Sequence, residues 1–467
     1  MPTLGPRLVV AGTASGVGKT TVATGLMAAF RKRGLKVSSA KVGPDFIDPG
    51  YHSLATGRPG RNLDPWICGT DVIESLGARA SAGAEMLIVE GVMGLFDGSA
   101  TARIEDGEID YDLASTAQVA RLLDAPVLLV LDAASAARSI AAVVHGFATY
   151  DPSVRIGGII LNQLGSHNHE IMIREALASL DIAVMGALHR DDTLTWRDRH
   201  LGLVPVFEHP EVIRNSVNRL ADAIEHSCDL DAISALGSTA PTRTVKAPPS
   251  ARPQLGDGGE RTRIALVGGP AFSFFYQDNL ELLEEAGADL VVVDPFNDQA
   301  LPAGITGLIA GGGFPEIYAE ALASNRPLLD DVYKQVSNGL STWAECGGML
   351  WLANTLNDVA LAGVIDAKAT MTTRLTLGYR RAVLQRDSPI AQAGTQLWGH
   401  EFHYSAIDSS GADSCGDALK VSGRVGTTLA GWATPNLLAS YVHLHLGSTP
   451  EIAERFVRNC QSHRPEI

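Results

Sequence analysis

Cysteine is scarce: Cys68, Cys228, Cys346, Cys415 and Cys460 are the five spread over 467 positions. So few, so scattered, exclude a disulfide scaffold, and no C-x-x-C pair suggests zinc. A reducing compartment fits that usage. No apolar run approaches the roughly 18 residues that would span a bilayer. The opening Met-Pro-Thr-Leu-Gly-Pro also lacks the basic segment, apolar stretch and cleavage site of an export signal. A cytoplasmic protein with no membrane partner is expected. Basic residues are in deficit, with 37 Lys and Arg against 52 Asp and Glu, a formal charge of -15. That excess repels nucleic acid at long range, so no nucleic-acid partner is expected and any anionic substrate must be held by local groups.

What is present is ordinary globular material, 45% hydrophobic and 19% charged, in a chain too long for one core. From Arg7 short apolar runs alternate with longer amphipathic segments: Leu8 to Ala11, a helix over about 19–32, then runs at Met86 to Val89, Val127 to Leu131 and Ile156 to Leu161. This is the rhythm of a parallel α/β sheet with crossover helices. Between 236 and 261 Ser, Thr, Pro, Arg and Gly dominate, which reads as an extended linker. The rhythm restarts at Ile264 to Val267 and continues through Leu290 to Val293. The expectation is an α/β chain of two α/β domains, one over 1–235 and a second over 262–467.

Gly12-Thr-Ala-Ser-Gly-Val-Gly-Lys-Thr20 follows the first expected strand and opens a helix, where backbone N–H groups can surround a phosphate. ATP is therefore expected on Gly12, Thr13, Gly16, Gly18, Lys19, Thr20 and Thr21, with Lys19 reaching the outer phosphates and the Thr20 hydroxyl offered to Mg²⁺. The strict pattern wants glycine at position 13; here it stands one place earlier. Downstream, Lys41-Val-Gly-Pro-Asp45-Phe-Ile-Asp48-Pro-Gly-Tyr51-His52 and Glu90-Gly-Val-Met-Gly-Leu-Phe-Asp97 both follow expected strands. Carboxylates at the C-terminal ends of parallel strands face the same crevice as the phosphate loop, where they could hold Mg²⁺ or position a polar substrate. Asp45 and Asp48 have a competing use, as Asx turns around Pro44 and Pro49. Lys41 could neutralise charge on the nucleotide or on an acyl phosphate, or could be a surface lysine.

The second half offers a nucleophile. Leu340-Ser-Thr-Trp-Ala-Glu-Cys346-Gly-Gly places a cysteine between a strand and a helix, where a sharp turn exposes sulfur and the helix N-terminus favours thiolate. Gly312 and Gly313, in Gly311-Gly-Gly-Phe-Pro-Glu316, could present N–H groups to an oxyanion together with Gly347. His443, in Ala439-Ser-Tyr-Val-His443-Leu-His445, could deprotonate Cys346. His445 would point to the same side of a strand, so the choice between them stays open. Gly399-His-Glu-Phe-His-Tyr404 reads as a domain-interface or substrate-side element.

The displaced glycine resembles the dethiobiotin synthetase-like branch of P-loop enzymes, which activate carboxylates with ATP. Nucleophile, oxyanion loop and histidine occur in the chain order of class I glutamine amidotransferases. Those enzymes usually carry a His-x-Glu pair; His445 stands in place of that glutamate, which suggests a Cys346–His443 dyad. Taken with Asn62-Leu-Asp64, the segments at 41–52 and 89–97 resemble the cobyrinic and hydrogenobyrinic acid a,c-diamide synthase family. That resemblance implies stepwise amidation of two carboxylates of a corrinoid polycarboxylate, with ATP, Mg²⁺ and L-glutamine consumed or required. It also implies metal binding by Thr20, Asp48 and Glu90, substrate orientation by Asp45, Asp48 and Asp97, and a homodimer as a possible assembly. Cobyric acid synthase and a diamide synthase acting on nickel-sirohydrochlorin remain as neighbouring readings. A partitioning ATPase is a more distant one, since such a protein needs no glutaminase.

Overall fold

The computed structural model describes residues 1–103, 108–191, 210–255, 259–409 and 416–462. Two compact units emerge, Met1–Ala100 with Asp106–Pro248, and Thr101–Glu105 with Pro249–Ile467.

The first unit is built on a seven-stranded sheet in which every pairing is parallel. Its spatial order is Arg61–Leu63, Val37–Val42, Met86–Glu90, Arg7–Gly12, Val127–Asp132, Ile156–Leu164, Val184–His189. Arg7–Gly12, Val37–Val42 and Met86–Glu90 are buried along their whole length, as strands covered on both faces must be. The chain's second strand therefore lies in mid-sheet, with its successors running outward to both sides. That reversal leaves a crevice at the C-terminal strand ends, where the loops after Gly12, Val42 and Glu90 meet.

The stretch expected as an extended linker is folded onto its neighbours. Helix Leu230–Ser238 runs into it, Arg243–Thr244 pairs antiparallel with Thr3–Leu4, and the buried Arg7 donates to the Pro241 carbonyl at 3.0 Å. Beyond Pro248 the chain belongs to the second unit, where the Gln254 N–H reaches the Ala286 carbonyl at 2.7 Å. Proline-rich sequence cannot make a helix interior, but extended backbone still packs and pairs.

The second unit carries a six-stranded sheet ordered Ala288–Val293, Thr262–Val267, Gly307–Ala310, Ser341–Glu345, Leu437–Ser440, Trp432–Thr434, parallel except for the last pairing. Beside it lies a mostly antiparallel sheet centred on the long strands Ile365–Leu384 and Gln396–Ser409. That second sheet has no counterpart in the sequence reading. Ile365–Leu384 alternates buried and exposed residues over its first six positions, the period-two signal of a half-buried strand, and is mostly exposed or half-buried without that period beyond them.

Candidate active sites

The phosphate loop joins strand Arg7–Gly12 to helix Lys19–Lys32. Gly16 and Gly18 have φ of +79° and +95°, a region closed to most side chains. A Cβ on Gly18 would also lie 2.1 Å from the Asn162 amide nitrogen, which donates to the Val17 carbonyl at 3.0 Å. Asn162, from the far end of strand Ile156–Leu164, thus pins the loop; no motif marked it in the sequence. The displaced glycine also has a reason: a Cβ on Gly12 would meet Val17 Cγ2 at 2.5 Å and the Lys19 stem at 3.0 Å. Thr13 follows it in the loop, and Thr21 lies half-buried in the first turn of the helix.

Lys19 folds back to donate to the Ala14 carbonyl at 2.9 Å. Burial first, and the neighbouring Lys41 second, push its ammonium down to about 8. An ammonium depressed by burial, beside a loop of backbone N–H groups at a helix start, is a setting that an anion such as a triphosphate stabilises. Gly18→Ala should therefore raise the Kd for MgATP by at least about tenfold and lower Tm by several degrees, since the αL backbone alone costs ~1–2 kcal/mol for a residue with a Cβ. Calorimetric titration checks this, and an unchanged Kd would remove the loop from nucleotide binding.

Lys41 and Glu90 are register partners on adjacent strands. Lys41 Nζ lies 2.8 Å from Glu90 Oε1 and 2.5 Å from Asp48 Oδ2. The Thr20 hydroxyl donates to Glu90 Oε1 at 2.6 Å and stands 3.5 Å from Asp48 Oδ2. On the other side His52 Nε2 and Glu90 Oε2 are 2.6 Å apart, both side chains wholly buried. Burial would raise Glu90, but Lys41 and His52 outweigh it and hold the carboxyl well below the usual range. Burial likewise opposes the charge on Lys41, yet Asp48 and Glu90 raise it. Asp48 is pushed up, by burial first and then by repulsion from Asp45 and Glu90.

The competing uses of the two aspartates separate. Asp45 Oδ1 accepts the N–H groups of Ile47 and Asp48 at 2.7 and 3.0 Å, capping the turn into helix Asp48–Thr56, while Asp48 turns inward to Lys41. Asp97 also shapes a turn, accepting the Gly94 N–H at 2.8 Å. Thr20, Lys41, Asp48 and Glu90 are thus brought together, and Asp45 and Asp97 each commit an oxygen to backbone. His52 was missed, although its i+4 spacing from Asp48 puts both on one helix face.

The hydroxyl and carboxylate oxygens of Thr20, Asp48 and Glu90 are hard donors of the kind Mg²⁺ takes with phosphate oxygens. Among the described residues no group of three or more His, Cys, Asp or Glu converges on a metal position, and Lys41 lies between the two carboxylates. The donor set fits an ion shared with a nucleotide rather than an all-protein cage.

In the second unit Cys346 follows strand Ser341–Glu345 and precedes helix Gly347–Leu352, with φ +46° and ψ −102°. Such a sparsely populated backbone persists only where its surroundings enforce it. Here they do: a Cβ on Gly348 would lie 2.1 Å from the Ala310 carbonyl, and one on Gly313 would lie 2.1 Å from that of Ala271. A Cβ on Gly347 would lie 3.0 Å from Gly313 N, and one on Gly312 would meet the His443 ring at 2.4 Å. Gly312 therefore lies against the imidazole, while Gly313, Gly347 and Gly348 pack tightly on backbone next to the Cys346 turn.

His443 is the histidine beside the thiol, hydrogen-bonded with Cys346. Burial would lower it, but Cys346 and Glu345 push it up to about 10. His445 does not share that side. The strand stops at Leu444, and His445 turns its ring to Tyr276, with centroids 4.5 Å apart, and its Nε2 to Asp278 Oδ2 at 3.8 Å. The segment 399–404 flanks the nucleophile: His400 stacks on His443 at 5.1 Å, the Phe402 carbonyl accepts from Cys346 Sγ at 3.8 Å, and Glu401 pairs with Arg380 at 2.7 Å.

Burial pushes His403 down to about 4 and His400 down as well. A histidine depressed in the folded state stabilises fully above its unfolded value near 6.5 and loses that contribution as pH falls towards 4. The wild type should lose urea resistance between pH 6.5 and 4.5, at up to about 1.4 kcal/mol per pH unit per histidine. His403→Gln should flatten that slope; equal slopes would show that His403 is not held neutral.

A nucleotide site of this kind and a Cys–His glutaminase pair on one chain define a class: ATP-using ligases that take their amide nitrogen from glutamine. Residues 8–204 match the CobQ/CobB/MinD/ParA nucleotide binding domain, and 263–451 the CobB/CobQ-like glutamine amidotransferase domain. Hydrogenobyrinate a,c-diamide synthase of Streptomyces coelicolor is 44% identical over 98% of both chains, and that of Thermobifida fusca 42% over 98% of both. Cobyrinate a,c-diamide synthase of a Synechococcus strain is 40% identical over 97% of this chain and 98% of its own. The chain belongs to the hydrogenobyrinate and cobyrinate a,c-diamide synthase family.

Proposed function

We propose that this chain amidates the a and c side-chain carboxylates of cobyrinate or hydrogenobyrinate in cobalamin biosynthesis, with ATP as activating and L-glutamine as amide-donating substrate. The observation that carries this reading is the pairing, on one chain, of a phosphate loop facing the Lys41–Asp48–Glu90 cluster with a Cys346–His443 pair. We assign amidation to residues 1–235 and glutamine hydrolysis to 262–467.

In the glutaminase, the Cys346 thiolate attacks the side-chain amide carbon of glutamine. The C–N bond breaks, ammonia leaves with the proton carried by His443, and water hydrolyses the thioester to glutamate. The N–H groups of Gly312, Gly313 and Gly347 face the oxyanion. In the amidation unit, a substrate carboxylate oxygen attacks the γ-phosphorus of ATP and ADP departs. Ammonia then adds to the acyl carbon and phosphate leaves. Gly12, Thr13, Gly16, Gly18, Thr20 and Thr21 line the nucleotide, Lys19 and Lys41 balance phosphate charge, and Asp45, Asp48 and Asp97 orient the ring's side chain. Mg²⁺ held by Thr20, Asp48 and Glu90 would supply further neutralisation of the phosphates. A cytoplasmic location, a homodimer, and the lack of a nucleic-acid partner belong to the same reading; the formal charge of -15 supports the last.

The test supplies Mg-ATP and glutamine with cobyrinic acid, hydrogenobyrinic acid or nickel-sirohydrochlorin in parallel and follows product mass. Two successive amidations of either corrinoid support the reading and identify the ring. Amidation of the sirohydrochlorin alone, or of none, overturns it.

A further inference from the structure

Resting on the Cys346–His443 reading, this inference concerns the member that a dyad leaves out. A histidine acting as base needs one tautomer: a proton fixed on the nitrogen away from the nucleophile, and an acceptor to fix it. The residue two places after His443 is His445, and the contacts described above direct it to Tyr276 and Asp278. Its Nδ1 is also occupied, accepting the Gly447 N–H at 3.1 Å. His445 therefore does not orient His443.

A carboxylate does face the imidazole, from an unexpected position. Glu345 Oε2 lies 3.6 Å from His443 Nδ1, which leaves Nε2 for the thiol. The other oxygen, Oε1, accepts the N–H of Leu444 at 3.1 Å, the residue next to His443. One carboxylate is thereby tied to the backbone and ring of the same short strand. Glu345 is the residue immediately before Cys346. Successive side chains of a strand point to opposite faces, but the positive φ at Cys346 takes it out of that alternation, so neighbours in sequence reach two sides of one ring. His443 is 1% exposed and Glu345 9%, so their charges meet largely away from water.

We propose that Glu345 is the positioning carboxylate of the glutaminase. It holds the Nδ1 proton of His443, so that Nε2 takes the Cys346 thiol proton and later delivers it to the departing ammonia. At 3.6 Å the contact is an ion-pair distance that a small movement of either side chain turns into a hydrogen bond.

Full-length Glu345→Gln keeps the shape and the acceptor for Leu444 N–H while removing the charge. Its glutaminase kcat should fall by about 10²–10⁴-fold with KM for glutamine within about threefold, while ammonia-fed amidation by the same preparation reports folding. The alkaline limb of the glutaminase pH profile should move to lower pH by at least about one unit, because the imidazolium loses its counter-charge. Asp278→Asn should leave that limb in place. An unshifted limb with kcat within threefold of wild type for Glu345→Gln, or a shift seen in Asp278→Asn instead, overturns the proposal. Wild-type protein labelled with ¹⁵N-histidine gives a second reading that needs no folded variant: His443 should carry its proton on Nδ1 at neutral pH, and a bare Nδ1 also overturns it. Cys346→Ala separates the two levels, since glutaminase surviving in that variant means the site itself is misassigned, whatever Glu345 does.

Discussion

Alanine in place of Cys346 abolishes glutamine-dependent amidation, by at least about 10³-fold, and leaves amidation fed with ammonium salts running. The thiol supplies the only covalent step in the glutaminase reading, and water attacks an unactivated amide far too slowly to replace it. Alanine keeps the Cβ that this backbone position already accommodates at φ +46°, so the turn and its glycine contacts persist. The other unit's chemistry needs ammonia from any source. Parallel assays with glutamine and with ammonium chloride, each following product mass, read the two halves separately. Loss of both would mean that amidation cannot proceed without an intact glutaminase, and the division of labour would fall.

The complementary variant is Glu90→Gln. Glu90 accepts from Thr20 and faces Lys41 and His52 at 2.8 and 2.6 Å, with no exposure to solvent. Removing its charge leaves Asp48 as the carboxylate in contact with the buried Lys41 and puts a neutral amide against His52. Breaking one partner out of a buried ionic set costs about 3–5 kcal/mol, so Tm should drop by several degrees. Amidation should fall by on the order of 10³-fold with either nitrogen source, since charge balance at the phosphates is lost. Glutamine hydrolysis at Cys346 should continue. A Glu90→Gln protein that amidates within tenfold of wild type would show that the cluster is structural only.

Some of this was readable along the chain because the signal is local. The phosphate loop is one strand end, one turn and one helix start, so its glycines, Lys19 and Thr20 announce themselves within nine consecutive positions. The elbow at Cys346 is equally compact. Buried strands such as Met86–Glu90 declare themselves by continuous apolar branching, whereas the half-exposed strand Ile365–Leu384 does not. The pair of uses open to Asp45 and Asp48 could not be divided from sequence. Both flank a proline in turn-forming surroundings, and only the direction of each side chain separates a cap from an inward charge.

The chain order of nucleophile, oxyanion loop and histidine, and the run of carboxylates after strands, were determined by sequence alone, because each is a matter of residue type beside a local turn. Partnership was decided by tertiary structure. Lys41 meets Glu90 across a parallel register, Asn162 reaches Val17 from a strand far down the chain, and His443 rather than His445 lies beside the thiol because the strand ends at Leu444. Glu345 shows the same principle at the shortest range. Its contact with His443 depends on one left-handed backbone angle at the next residue, a quantity that the order of amino acids does not display.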